Sequence, residues 1–417
     1  MKWGVIVLTT CAFLLVGHFA TRRPWLRKYL ATCLGLLPFF DITLNPLSYE
    51  LIRLDTRGIE FALVDFFALA SVVALRKRRS RSIPFKARFW FYFFVCAVSA
   101  VVAIAPLFSL FSTWKVLRTF LLFWAVYRVC AVDAQLPQVT RGLAFAVVVA
   151  AGMALYQRYI GGENAVSGPF GHQNSLAVAA NLVAPFCAAL ALTGKGGRLA
   201  AVTVLSAAVC IILSLSRGGM ASFAVAMSVV YVASLAKKVT PKKLATIGLS
   251  IGGACLVLVR SLDTIVERFV TAPKSSAEAR HLFEEAAQAM VHDAPWGVGI
   301  NQFSMVLDKK YADVLGMAEI DRSGIVHNMY WLTLAELGYL GLFAFCLLYF
   351  SPLLAAARGA WRERHTVYGD LLVGLATAFA LVLAQSTLEW TLRMTQVGNV
   401  FWVLAGMTVA VTNRRSQ

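Results

Sequence analysis

His327-Asn328-Met329-Tyr330-Trp331-Leu332-Thr333-Leu334-Ala335-Glu336-Leu337-Gly338-Tyr339-Leu340-Gly341 opens an apolar segment directly after a polar run, Ser261 to Val326. The junction decides the fold because almost everything on either side of the polar run is lipid-soluble. A chain of 417 residues that is 59% hydrophobic and 14% charged, with mean hydropathy +0.70, has too little polar surface to coat a soluble globule. Apolar stretches of membrane-crossing length recur along it, while the ten-residue alternation of barrel strands is absent. The expected fold is therefore an all-α polytopic integral membrane protein. Thirteen apolar segments are candidates, from Trp3–Ala20 to Val397–Val411. If one of the first two fails to cross, about 12 transmembrane helices remain. One integrated membrane domain follows, with N-terminal helices over 1–260, a large outer loop over 261–326 and C-terminal helices over 327–417. Trp3–Ala20 is followed by Thr21-Arg22-Arg23 rather than a small-residue cleavage site, so it reads as a retained helix.

The net charge of +18 points to topology rather than nucleic acid. Lys and Arg gather in short connections, as in Arg76-Lys77-Arg78-Arg79-Ser80-Arg81, Lys237-Lys238, Lys242-Lys243, Arg362 with Arg364, and Arg414-Arg415, which is the positive-inside pattern. Residues 261–326 carry six basic side chains against ten acidic ones, as expected of a segment on the far side of the membrane. All eight cysteines fall in apolar segments without a CxxC, and read as small buried side chains.

Within the polar run, Ser275-Ser276-Ala277-Glu278 has the capping-box pattern, and Ala279, Phe283, Ala286 or Ala287, and Met290 follow at helical spacing. This predicts an amphipathic helix of about four turns lying on or over the bundle. Arg280 sits in its first turn, where the helix dipole disfavours a cation. It either pairs with Glu284 one turn on or serves as a guanidinium that grips phosphate. Pro295-Trp296-Gly297-Val298-Gly299 predicts a turn, and without a preceding strand it is no phosphate loop. No Asp-x-Asp pair or His/Cys cluster with metal-ligand spacing occurs, so no metal is expected. His327, at the re-entry into lipid, is either a hydrogen-bonded interfacial residue or a general base poised near neutral pH. Glu389 and Arg393, one turn apart, read as a structural ion pair. Arg217, in the tight outer turn Ser216-Arg217-Gly218-Gly219, is costly there unless something meets its charge. The spans themselves show few ionisable residues.

Taken in order, Ser216-Arg217-Gly218-Gly219, Arg280 in a helix, Pro295-x-Gly-Val-Gly299, His327-Asn328-x-Tyr330 and Glu336-x-Gly338-x-x-Gly341 resemble the O-antigen ligase and polymerase family, in particular its ligase branch. The architecture matches over roughly 60–411 and the motifs over about 160–341. The resemblance implies a GT-C type glycosyltransferase in the bacterial inner membrane, with its active site facing the periplasm. It would move an O-antigen glycan from undecaprenyl pyrophosphate to the lipid A core, with inversion, without metal or cofactor. Arg280 and Arg217 match the family's arginines and would neutralise the leaving pyrophosphate; His327 matches its histidine and would deprotonate the acceptor hydroxyl. Inversion then predicts His327 across a cleft from the arginines. His172 and Asn174 are weaker candidates for glycan contacts, and Asn328, Tyr330, Glu389 and Arg393 are candidates for glycan or structural contacts. The implied partners are the two lipid-linked glycans and membrane lipids, with the helix over 276–292 forming one wall of a lateral opening. The alternatives are an O-antigen polymerase, a protein-glycosylating oligosaccharyltransferase, which usually carries a longer C-terminal region, and a lipid-linked glycan transporter.

Overall fold

The computed structural model describes residues 2–49, 56–78, 82–262, 266 and 274–414, with the side chains of 274–277 left out. The side chains of Ser275 and Ser276 of the expected capping box, and Arg79, Ser80, Arg81 and Arg415 of the basic clusters, lie outside what is described. Helix dominates. Each of the thirteen apolar segments falls on a helix, and eight of the described helices are long and apolar enough to cross a membrane. The others differ for local reasons. Tyr29–Phe40 divides into a helix over Pro24–Leu36 and a 3-10 turn at Leu37–Phe39. Phe89–Leu107 divides between a helix that ends at Ser99 and the next, Pro106–Val132, whose first residue is a proline that holds Ala105 out of helical backbone.

At the centre stand Gln173–Thr193 and Thr395–Thr412, both buried over most of their length. The first is alanine-rich, and small side chains let neighbouring backbones close in without a hydrophobic drive from water. It packs against Val367–Gln385, Gly197–Leu213 and Arg217–Lys237, while Thr395–Thr412 packs on Pro106–Val132. Pro241–Arg260 buries none of its side chains and forms an edge against Gly197–Leu213.

Two features depart from the reading of the sequence. A small antiparallel hairpin, Thr43–Ser48 with Gly58–Ala62, occupies the connection expected to be merely polar. Thr43 faces Ala62 and Leu47 faces Ile59, with an irregularity between Leu44 and Leu47 that accommodates Pro46, which has no N–H for the ladder. The bundle interior also holds more charge than expected. Arg118, from Pro106–Val132, donates to Asp65 Oδ2 at 2.6 Å and to Glu60 Oε2 at 3.1 Å, and Arg128 donates to the carbonyls of Leu75 and Arg78. All eight cysteines are free thiols.

Candidate active site

The polar run builds its own small core. The helix Lys274–Asp293 presents Phe283, Ala286, Ala287 and Met290 to Phe303, Val306, Leu307 and Val326, and to Leu332 and Ala335 of the re-entering helix. The apolar face thus lies on the bundle helix Met329–Arg362, as expected, and also closes the loop on itself: Met290 is fully buried, and the Phe283 ring packs against Gly324. At the loop's rim the Tyr311 hydroxyl donates to Asp293 Oδ2 at 2.8 Å. Burial and that bond push Tyr311 up to about 12, while the bonds from Tyr311 and His292 hold Asp293 below the usual carboxylate range.

Below this core the glycine motifs explain each other. The helix Met329–Arg362 is interrupted at Gly338 (φ 66°, ψ −171°). Into the break the turn 295–299 docks by backbone pairing: Val298 N donates to Ala335 O at 3.0 Å and Gly299 N to Glu336 O at 2.9 Å. A Cβ on Gly297 (φ 89°) would lie 2.4 Å from Glu336 O, and one on Gly338 would lie 2.4 Å from Pro295 O. Both glycines are required by left-handed backbone and by close approach. Glu336, buried beneath, accepts from Phe303 N at 3.1 Å and from Arg393 Nη1 at 2.9 Å. Arg393, expected from its spacing to pair with Glu389, is joined to Glu336, and residues 391–393 make a 3-10 turn in place of the regular helix that the expectation assumed.

Glu389, 8% exposed, is the hub of the site. Its Oε2 lies 3.3 Å from His327 Nδ1, and its Oε1 accepts from Asn174 Nδ2 at 2.6 Å and lies 3.6 Å from Arg280 Nη2. Arg280 thus pairs across to Glu389, where spacing had suggested Glu284. Arg280 and His327, expected on opposite sides of a cleft, contact the two oxygens of one carboxylate. His327 is held by its neighbours. Asn328 caps the helix, its side chain accepting from Tyr330 N and Trp331 N, and Met329 N donates to Ser386 O at 2.8 Å. The Tyr330 hydroxyl donates to Leu383 O at 2.8 Å. Asn328 and Tyr330 thus hold helix ends in place, and His172 Nδ1 accepts from Asn174 N and caps the next helix.

Arg217 is the exposed first residue of Arg217–Lys237, after Ser216, whose hydroxyl caps the helix by accepting from Gly219 N. The same helix is tied to the end of Val367–Gln385 through Ser222 and Gln385. Arg217 therefore lies at the same end of the bundle as His327 and Glu389.

Sequence reasoning missed several supporting residues. Buried Asn301 and Gln302 fasten the loop to the bundle. Asn301 Nδ2 donates to Thr56 O at 2.8 Å, and Gln302 exchanges hydrogen bonds with the Ala105 backbone. No local pattern announces partners some 200 positions away. Lys115 and Arg118 had a signal, since charges inside an apolar segment are costly and need a reason. Lys115 Nζ donates to Arg393 O, and both line a cleft with Ser112, Thr395 and Asn399.

These features define a multi-pass helical membrane protein with a loop-covered, charged site at one end of its bundle. Residues 201–346 match the family model Wzy_C, O-antigen ligase, a span that includes Arg217, Arg280, His327 and Glu336 and ends before Glu389. The match supports the O-antigen ligase and polymerase family and, at that coarse level, an enzyme. No curated protein matches the chain.

Proposed function

We propose that this protein is an O-antigen ligase, an inverting, metal-independent glycosyltransferase that transfers O-antigen polysaccharide from undecaprenyl pyrophosphate to the lipid A core. The observation that carries the reading is the convergence of His327, Arg280 and Asn174 on the buried carboxylate of Glu389. In the transfer, the acceptor hydroxyl attacks the anomeric carbon and loses its proton to His327 Nε2, the nitrogen turned away from Glu389. Glu389 takes the Nδ1 proton in a hydrogen bond, fixes the tautomer and stabilises the imidazolium that forms. The bond from the anomeric carbon to the pyrophosphate breaks on the opposite face, and the developing negative charge falls to Arg280 and Arg217. Arg280 reaches it by leaving Glu389, an exchange that costs little because the pair is long and half-exposed. Both substrates are lipids with glycans in water, which suits a site at a bundle end, in the inner membrane and facing the periplasm.

The test is a transfer assay in detergent or nanodiscs with purified wild type and His327→Ala, undecaprenyl-pyrophosphate glycan as donor, lipid A core as acceptor, and products separated on a gel. Wild type should glycosylate the core without added metal, and the variant should not. Lengthening of the lipid-linked glycan alone would make the protein a polymerase. Absence of both products with verified substrates would return the reading to a transporter.

A further inference from the structure

At the end of the bundle opposite His327, three connections enclose an open cleft of about 780 Å³. The helix Gln173–Thr193 joins the two ends: Asn174 touches Glu389 and Thr193 lines the cleft, a separation of about 30 Å at 1.5 Å per residue. Among the described lining residues, Lys237, Lys242, Lys243, Arg364 and His365 face the single carboxylate of Asp370.

Two of the cations are accounted for by the protein itself. Lys237 pairs with Asp370, and Lys243 Nζ donates to Ser234 O at 2.7 Å and Lys238 O at 3.0 Å, at the C-terminal end of Arg217–Lys237. Lys242 and Arg364 have no carboxylate partner among the described residues. Arg364 lies over the Trp361 ring at 5.1 Å and donates to His365 Nε2 at 3.1 Å. Lys242 stands in the first turn of Pro241–Arg260, a turn without an acidic residue, where the helix dipole adds to its positive potential. A second helix, Val367–Gln385, also starts at the cleft, at Thr366. The lining thus concentrates positive potential in one concave place against the carboxylate of Asp370, with Glu363 beside it bonded to the Thr366 hydroxyl.

The surroundings say what kind of anion fits. Trp361 is 73% exposed, and Val239 and Leu244 beside the cleft are also exposed, so the basic cleft opens beside an apolar surface with an aromatic side chain at its edge. Basic side chains bordered by exposed aromatic and aliphatic ones mark the boundary between water and hydrocarbon. We propose that this cleft is a binding site for the phosphate headgroup of an anionic phospholipid, with Lys242 and Arg364 as its principal contacts and acyl chains running along Val239 and Leu244.

Native mass spectrometry of the purified full chain, with phosphatidylglycerol or phosphatidylcholine added to the micelle, tests this. Wild type should retain phosphatidylglycerol in preference to phosphatidylcholine. Lys242→Gln with Arg364→Gln should weaken that retention roughly 30-fold, from about fivefold per lost charge. Arg141→Gln, outside the cleft and bonded only to Gln138 among the described residues, should leave it unchanged. Equal retention of the two lipids, or wild-type retention by the double variant, would overturn the proposal. Displacement of phosphatidylglycerol by excess inorganic phosphate would assign the cleft to a soluble anion and overturn the lipid. If the double variant aggregates, Lys242→Gln alone carries the same comparison. None of these readouts involves glycan transfer.

Discussion

Glu389→Gln separates an orienting carboxylate from a merely packed one. The replacement keeps size and leaves an amide oxygen to accept from Asn174, so the bond now 2.6 Å long survives. The ion pair to Arg280 is lost, but at 3.6 Å with a guanidinium side chain 46% exposed it contributes no more than about 0.5 kcal/mol after solvent screening. Donor affinity should therefore hold or rise slightly, because Arg280 is released to the pyrophosphate. The effect falls on His327. Glutamine turns an N–H toward Nδ1, 3.3 Å away in the wild type, so Nδ1 must accept and Nε2 must carry the proton. The nitrogen facing the acceptor is then no longer a base. General-base catalysis is worth roughly 10²–10⁴-fold, and kcat should fall by about 10³, close to 4 kcal/mol of barrier. Initial rates of core glycosylation, with donor binding measured separately by titration calorimetry, check both halves. Turnover within about threefold of wild type at normal donor binding would refute the orienting role. A loss confined to donor affinity would move Glu389 from the base to the donor.

Three further outcomes follow from other contacts. Arg393→Met should cost about 3–5 kcal/mol in thermal unfolding, because it leaves the buried Glu336 charge alone, and Glu336→Gln in the same chain should recover part of that loss. Gly338→Ala should free the loop, since its Cβ would sit 2.4 Å from Pro295 O on a backbone at φ 66°, and limited proteolysis within 261–326 should accelerate severalfold. The contact between Tyr311 and Asp293 gives the loop a pH signature. Tyr311 is raised from 10.0 to about 12, so its contribution is full below pH 10 and lost as pH rises through about 12. Asp293 is lowered, so its contribution is present above the ordinary carboxylate pKa and lost as pH falls through the folded value. Proteolysis should therefore quicken above pH 10 in wild type and show no such alkaline step in Tyr311→Phe.

The membrane class and the helical segments were legible because hydropathy over some 20 residues is a local property. So was the amphipathic helix, whose apolar positions Phe283, Ala286, Ala287 and Met290 are all buried. What else that face covers was not legible, since its partners Phe303, Val306 and Val326 lie beyond a turn that spacing cannot orient. The partner of Arg393 was hidden for a similar reason. One-turn spacing brings side chains together reliably only on a regular helix, and here a 3-10 turn at Thr391–Arg393 stands in its place, with Arg393 on Glu336. The demand of the Gly-Val-Gly stretch for left-handed backbone at Gly297 becomes intelligible only against the break at Gly338.

The position of Glu389 depends on charges that touch no substrate. Glu389 sits in the connection between Gln385 and Thr395, outside any long helix, and loops are poor places to hold an orienting carboxylate to within half an ångström. Here the connection is fixed at several points. Ser386 O accepts from Met329 N, the residue two after His327, so the histidine and the start of the connection are joined by backbone. Arg393 is held by Glu336 through its side chain and by Lys115 through its carbonyl. Thr395, at the start of the last helix, donates to Glu60, which with Asp65 also accepts from Arg118. Buried ion pairs add little net stability over apolar packing, but each has one geometry in which its desolvation is offset. A chain of them running from the hairpin to the connection therefore specifies where Glu389 points. Breaking the Glu60–Arg118 link with Arg118→Met should accordingly lower kcat while leaving donor affinity in place, because it loosens the base and touches neither arginine assigned to the pyrophosphate. An equal loss of donor affinity and turnover would show that the buried charges hold the fold as a whole and not the connection that carries Glu389.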